Sequence, residues 1–257
     1  MIFKKNIPLA SFSTFKIGGR AEYFFKTPRP ENLIKAVEWA KSRKIPWKVF
    51  AGGSNIVFPD GKLKGLLIQF SGGGIYPVRN KPLQAAVAAS ASGRTKRISN
   101  GVKILVDAGV PLAQVIKKLI QTGLSGLETL SGIPGTIGGA VIGNAGAYGH
   151  SISEILEKAE IWDPRGARGK GKKRWLKNKD CQFSYRESVF KKKDYILLRV
   201  VLRFKKGDKE KLRKISREII KIREKKYKPG LRCPGSFFKN VLVKKVSKES
   251  LALIDWS

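Results

Sequence analysis

Histidine is nearly missing from this chain. Its 257 residues include one, His150, and only two cysteines, Cys181 and Cys233. Two distant thiols make neither a disulfide framework nor a metal-ligand spacing. With a single imidazole, the common zinc and iron constellations lack their material. Acids are also scarce, 19 against 53 Lys and Arg, which gives a net charge of +34. Such a field attracts polyanions, nucleotides and anionic surfaces, and carries no information about fold. No run approaches the roughly 18 consecutive apolar residues of a membrane-spanning helix. Residues 1–9 contain Lys4 and Lys5 but no apolar stretch of signal-peptide length. The expectation is a cytoplasmic protein without membrane insertion, using no imidazole catalysis unless His150 carries it.

What is present is the composition of a folded protein, 42% apolar and 9% aromatic. A chain of this length can bury a real core as one large domain or two ordinary ones. Residues 1–65 read as a small βαβ unit. Within it Pro30 opens a helical pattern with Leu33, Val37 and Ala40 on one face, and residues 47–51 form a strand candidate. A second strand is expected at 66–70. Residues 76–101, Ala/Ser-rich from Ala85 to Arg97, read as an exposed loop or insertion. A helix follows from Pro111, with Leu112, Val115, Ile116 and Leu119 on one side and Gly123 as its stop. Residues 195–204 are strongly strand-like. Asp208 then caps a helix whose apolar stripe reads Leu212, Ile215, Ile219 and Ile222.

Nine of the 27 glycines fall between residues 123 and 149. Glycine loses more entropy on ordering than any other residue, so this density needs a reason. Two loops, 52–55 and 131–147, combine glycine with small hydroxyl or amide residues. Successive free N–H groups in such loops form concavities suited to a pyrophosphate; the bland alternative is a pair of tight turns. Neither loop has GxGxxG spacing, and no Gly-Lys-Ser/Thr occurs, so a dinucleotide site here belongs to neither the Rossmann nor the P-loop type.

Several segments resemble the motifs of bacterial UDP-N-acetylenolpyruvoylglucosamine reductases. They are Ser13-Thr14-Phe15-Lys16-Ile17-Gly18-Gly19, Ala51-Gly52-Gly53-Ser54-Asn55-Ile56, and the run from Gly126 through Ser131-Gly132-Ile133-Pro134-Gly135-Thr136-Ile137-Gly138-Gly139-Ala140 to Gly149. Phe183-Ser184-Tyr185-Arg186-Glu187-Ser188-Val189-Phe190 and Gly235-Ser236-Phe237-Phe238-Lys239-Asn240 follow in the family's order. The resemblance implies an α+β fold, a two-lobed FAD-binding module of the vanillyl-alcohol-oxidase type followed by a shortened α/β substrate domain. Residues 1–65 would form the first lobe, 66–204 the second and 205–257 an incomplete substrate domain.

The same resemblance implies FAD as cofactor, NADPH as hydride donor and a UDP-sugar enolpyruvate as substrate, reduced to UDP-N-acetylmuramate for peptidoglycan synthesis. FAD would contact Gly52, Gly53, Ser54, Asn55, Ile56, Ser131, Gly132, Ile133, Pro134, Gly135, Thr136, Gly138, Gly139, Ala140, Gly146 and Leu197. Arg186 would stabilise the developing enolate and Ser236 would donate the proton. Tyr185, Arg223, Lys226 and Lys239 would bind substrate. An arginine is chemically apt for a carboxylate because its planar fork forms paired charge-assisted bonds. A serine is a poor acid and needs cationic or hydrogen-bonding surroundings to serve.

Two departures qualify the likeness. The family's usual Lys-Gln-Pro-Leu reads Lys226-Tyr227-Lys228-Pro229, and the chain stops at Ser257 before a motif that supplies a catalytic glutamate; Glu249 does not occupy that motif. A flavin-binding homologue with impaired turnover therefore stands beside the active enzyme. A basic protein that binds polyanions through its charge alone is the reading from a different class. The expected form is a monomer that recognises no specific nucleic acid.

Overall fold

A computed structural model describes residues 1–78, 101–166, 171–227 and 230–233. The Ala/Ser-rich run at 85–97 lies outside these residues, as do Ser236 and Lys239. The strands, in chain order, are β1 (Lys4–Pro8), β2 (Arg20–Thr27), β3 (Trp47–Phe50), β4 (Lys62–Phe70), β5 (Ile75–Pro77) and β6 (Val102–Asp107), then β7 (Leu124–Ser125), β8 (Gly146–Ala147), β9 (His150–Ser151), β10 (Leu156–Asp163), β11 (Lys172–Lys177) and β12 (Ile196–Lys206). The helices are α1 (Pro30–Ser42), α2 (Leu112–Thr122), α3 (Ile137–Ile142), α4 (Val189–Lys192) and α5 (Lys209–Lys226). None of the described helices is long and apolar enough to cross a membrane.

The first sheet has the order β1-β2-β4-β3, with β2 and β3 both parallel to β4. Pro30 opens α1 at its favoured first-turn position, and Leu33, Ala36, Val37 and Ala40 are buried, as their spacing predicts. Because β4 runs from residue 62 to 70 in this sheet, a boundary at 65 would cut a strand. We therefore place the division between the lobes after Phe70. Below the sheet, Phe12, Phe24, Phe50 and Phe58 form an aromatic cluster with centroid separations from 4.7 to 6.5 Å. Phe50 ends β3, so the glycine loop that follows departs from a rigid base.

The second sheet, β11-β10-β12-β6-β5, is antiparallel, and β7 pairs with the end of β12. Its long central strand β12 alternates little because both faces are covered. The helix expected from Pro111 begins at Leu112, with Pro111 as its N-cap, and Gly123 closes it in the left-handed conformation. Trp162 of β10 and Phe204 of β12 share one core with Leu127, Leu130 and Ile137, all essentially inaccessible.

The last helix buries Leu212 and Ile219 of its apolar stripe and half-buries Ile215, but its inward face also takes in Ser216, buried, and Arg223, half-buried, while Ile222 is exposed. The helix packs on the turn at 128–130. There the Ser216 and Ser131 hydroxyls lie 2.8 Å apart in a buried contact. Residues 207–226 thus pack on the second lobe, and the Gly207 N–H also bonds the Gly123 carbonyl at 2.9 Å.

Ionic contacts join the two lobes. Arg199 on β12 reaches Asp107 on β6 at 3.0 Å and Glu31 on α1 at 3.0 Å, with Glu160 at 3.9 Å. Burial alone would lower its pKa, but the facing carboxylates, Asp107 foremost, raise it above its ordinary value. Lys41 of α1 also donates to the Pro164 carbonyl at 2.5 Å.

Candidate functional site

The two glycine loops meet. A Cβ placed on Gly52 would lie 3.1 Å from the Gly135 Cα, so neither position tolerates a larger residue without movement. Gly53 holds φ +65°, and a Cβ there would overlap the Phe12 carbonyl oxygen. The Ser54 hydroxyl bridges to the Pro134 carbonyl at 3.4 Å. The motif at 13–19 supports this arrangement from behind. The Thr14 N–H bonds the Gly53 carbonyl and its hydroxyl bonds the Ser54 carbonyl, at 3.3 and 3.2 Å. Its role is to hold the loop.

Between the lobes lies a cavity of about 630 Å³, within the size range of small-molecule sites. Of the sequence-predicted cofactor residues, Gly52 to Ile56, Ile133 to Thr136, Gly138 to Ala140, Gly146 and Leu197 all line it. Ser131 and Gly132 do not. Ser131 is buried against Ser216 and the Glu128 carbonyl, and a Cβ on Gly132 would touch the Arg223 side chain at 3.0 Å. Arg186 and Arg223 line the cavity; Tyr185, 55% exposed, and Lys226 do not.

Among the described residues, the N–H groups of Gly53, Ser54, Asn55, Gly135 and Thr136 have no acceptor. Those of Gly138 and Gly139 are taken by the Ala108 carbonyl at 2.8 Å and the Thr136 hydroxyl at 3.2 Å. The two glycines therefore serve close packing, and the available donors sit earlier in the segment. The Arg223 Nε is buried and also lacks a partner among the described residues. Gly53 and Thr136 are buried residues, as the Arg223 Nε is a buried atom, and unsatisfied buried donors are costly. An anion held between the two loops, with Arg223 alongside, would satisfy them. The glycine cradle, the free donors and the adjoining apolar walls of Phe50, Phe70, Ile196 and Leu197 fit the diphosphate and rings of FAD.

Arg186 enters from a tight turn in which Ser184 and Glu187 exchange backbone bonds at 3.0 and 3.2 Å. The turn is anchored to the glycine segment by the Asn144 amide, which donates to the Ser184 carbonyl at 2.9 Å, and by the Ser188 hydroxyl, which donates to the Ile142 carbonyl at 2.7 Å. Lys191, Tyr195 and Tyr227 also line the cavity and are absent from the sequence-derived set. Tyr227 falls where the sequence departs from the expected Lys-Gln-Pro-Leu, and only that departure marked it. His150 bonds Glu154 at 3.0 Å on the surface, outside the lining; that bond holds the Glu154 carboxyl below its ordinary range. Burial pushes the Cys181 thiol up to about 12, which removes it as a nucleophile. No group of three or more metal-ligating side chains occurs among the described residues.

This architecture and cavity define an FAD-dependent oxidoreductase, and a family described as an FAD binding domain matches residues 22–168. The UDP-N-acetylenolpyruvoylglucosamine reductase of Solibacter usitatus is 34% identical over 92% of this chain and 67% of its own length. That of Anoxybacillus flavithermus is 32% identical over 93% of this chain and 71% of its own. The chain belongs to the UDP-N-acetylenolpyruvoylglucosamine reductase family and spans about two thirds of these relatives' length. The crystal structure of the Thermus caldophilus reductase superposes with a TM-score of 0.67 at 26% identity, covering 97% of this chain and 79% of that one. A solvent-stable cholesterol oxidase shares the fold alone, at 13% identity and TM-score 0.52 over 80% of this chain and 38% of the other.

Proposed function

We propose that this protein reduces UDP-N-acetylenolpyruvoylglucosamine to UDP-N-acetylmuramate with NADPH as hydride donor. The setting would be peptidoglycan precursor synthesis in the cytoplasm, where both nucleotides are made. The observation that carries the reading is that Arg186 and the anion-binding glycine cradle open onto one cavity. Bound FAD would supply hydride transfer between NADPH and the substrate. A hydride added to the terminal enol-ether carbon drives the double-bond electron pair onto the carboxylate as an enolate, and one proton closes the adjacent carbon. NADPH, a proton and the enol ether thus become NADP⁺ and the lactyl ether.

The protein's part is charge and proton. The Arg186 guanidinium grips the carboxylate and stabilises the enolate as charge develops. Ser236, with Lys239 near it in sequence, delivers the proton. The free N–H groups of residues 53–55 and 135–136 hold the cofactor diphosphate. Arg223 stands beside them where cofactor and substrate phosphates converge, and Lys226 and Tyr185 extend the substrate side.

Anaerobic stopped-flow spectroscopy of the purified yellow protein tests this. NADPH should bleach the flavin, and UDP-N-acetylenolpyruvoylglucosamine should restore its colour within seconds. Bleaching without recovery would reduce the protein to a flavin-binding NADPH acceptor and remove the proposed substrate. Colourless protein that takes up no FAD would remove the enzyme reading altogether.

A further inference from the structure

Arg186 has φ +58°, a left-handed conformation that side-chain-bearing residues seldom adopt and that persists only when the surroundings enforce it. The base of the turn is tied to α3 and the residues just after it, by the Asn144 amide on the Ser184 carbonyl and by the Ser188 hydroxyl on the Ile142 carbonyl. Its apex is held as well: among the described residues, the Lys191 ammonium donates to the Arg186 carbonyl at 2.6 Å. The same ammonium lies 3.9 Å from the Glu187 carboxylate, a long and solvent-accessible pairing of little worth. The bond to the carbonyl is short and charge-assisted, and so the stronger of the two. Lys191 and Arg186 both line the cavity.

We infer that Lys191 is a positioning residue for Arg186, locking the strained peptide so that the guanidinium stands ready for the substrate carboxylate. This rests on the reading of Arg186 as the carboxylate-binding group. A turn fixed only at its base could relax to an ordinary right-handed conformation, which would swing the arginine Cα–Cβ bond and displace its fork. A displacement of that kind leaves cofactor binding alone and weakens recognition of a planar carboxylate, where bidentate geometry matters.

The experiment compares Lys191→Met and Lys191→Arg, each alone and combined with Arg186→Lys. Flavin content and NADPH bleaching should be unchanged in Lys191→Met. Its reoxidation by the enolpyruvyl substrate should slow at least tenfold, and calorimetric affinity for UDP-N-acetylmuramate, which keeps the carboxylate, should drop by a similar factor. Lys191→Arg, still a donor, should recover most of both. In the Arg186→Lys background the Lys191→Met change should have almost no additional effect, because a group acting through another is non-additive with it. Full additivity would make Lys191 an independent contact and overturn the inference, as would equal slowing of both half-reactions. If Arg186→Lys slows reoxidation and Lys191→Met does not, the inference fails while the reading of Arg186 survives. If Arg186→Lys itself leaves reoxidation and product affinity unchanged, both fall.

Discussion

Gly53 and Gly149 both hold positive φ, +65° and +80°, yet a Cβ on the first meets the Phe12 carbonyl and one on the second meets nothing within 4 Å. Gly149→Ala carries only the conformational penalty of about 1 kcal/mol and should keep its flavin. Gly53→Ala must push the 52–55 loop away from Phe12 and spoil the cradle. It should lose flavin on gel filtration, with at least a tenfold fall in FAD affinity by fluorescence titration. Equal retention by both variants would show that the loop is not the grip. At this scale the sequence was partly legible. Glycine density pointed to a segment that lines the cavity, but it could not separate glycines that leave amides free, such as Gly135, from Gly138 and Gly139, whose amides are used within the protein. That distinction depends on Ala108 and Thr136 being opposite them, a tertiary fact.

At the scale of elements, α5 shows what hydrophobic periodicity leaves out of a site-facing helix. The pattern Leu212, Ile215, Ile219, Ile222 finds most of the buried stripe and errs at Ile222, which is exposed. It misses Ser216 and Arg223 on the same inward face, because the helix packs on a loop with polar business of its own. Ser216 meets Ser131 there, and Arg223 lies over Gly132. Apolar counting cannot register a face chosen for its hydroxyl and guanidinium. By contrast α1 and α2, which cover sheets, are buried where their spacing says. Ser216→Ala should cost about 1 kcal/mol in urea unfolding, the usual value of one buried hydrogen bond. It should also weaken FAD binding, because Arg223 is carried by the same helix. Loss of stability with unaltered FAD affinity would mean that Arg223 is positioned without this contact.

At the scale of the whole molecule, the net charge of +34 makes each carboxylate a local anchor among cations. Glu157 sits at a bulge of β10 and ties it to its neighbours through Lys103 at 2.9 Å and Arg203 at 2.7 Å. Burial would raise its pKa, but the hydrogen bonds and charges of Lys103 and Arg203 outweigh this and hold it below the ordinary 4.5. A group whose pKa is lower in the folded state contributes stability above its unfolded value, and that contribution disappears as pH falls through the folded one. Melting temperature should therefore decline as pH drops below about 4.5, and Glu157→Gln should flatten that acid limb while lowering the neutral plateau. An acid limb of unchanged steepness would assign the loss to other carboxylates. The two-lobed plan was legible from ordered motifs spread along the chain; the membership of residues 66–70 in the first sheet was not, since a parallel strand gives no sign of which sheet it joins.

Arg199 brings the scales together. One guanidinium on β12 holds β6 and, in the other lobe, α1, and the cavity-lining residues Ala108 and Leu197 lie, respectively, one residue from its partner Asp107 and two from Arg199 itself. A cleft riveted beside its lining cannot gape there. Any breathing of the lobes must pivot about this rivet, and removing the guanidinium would free α1 from β12.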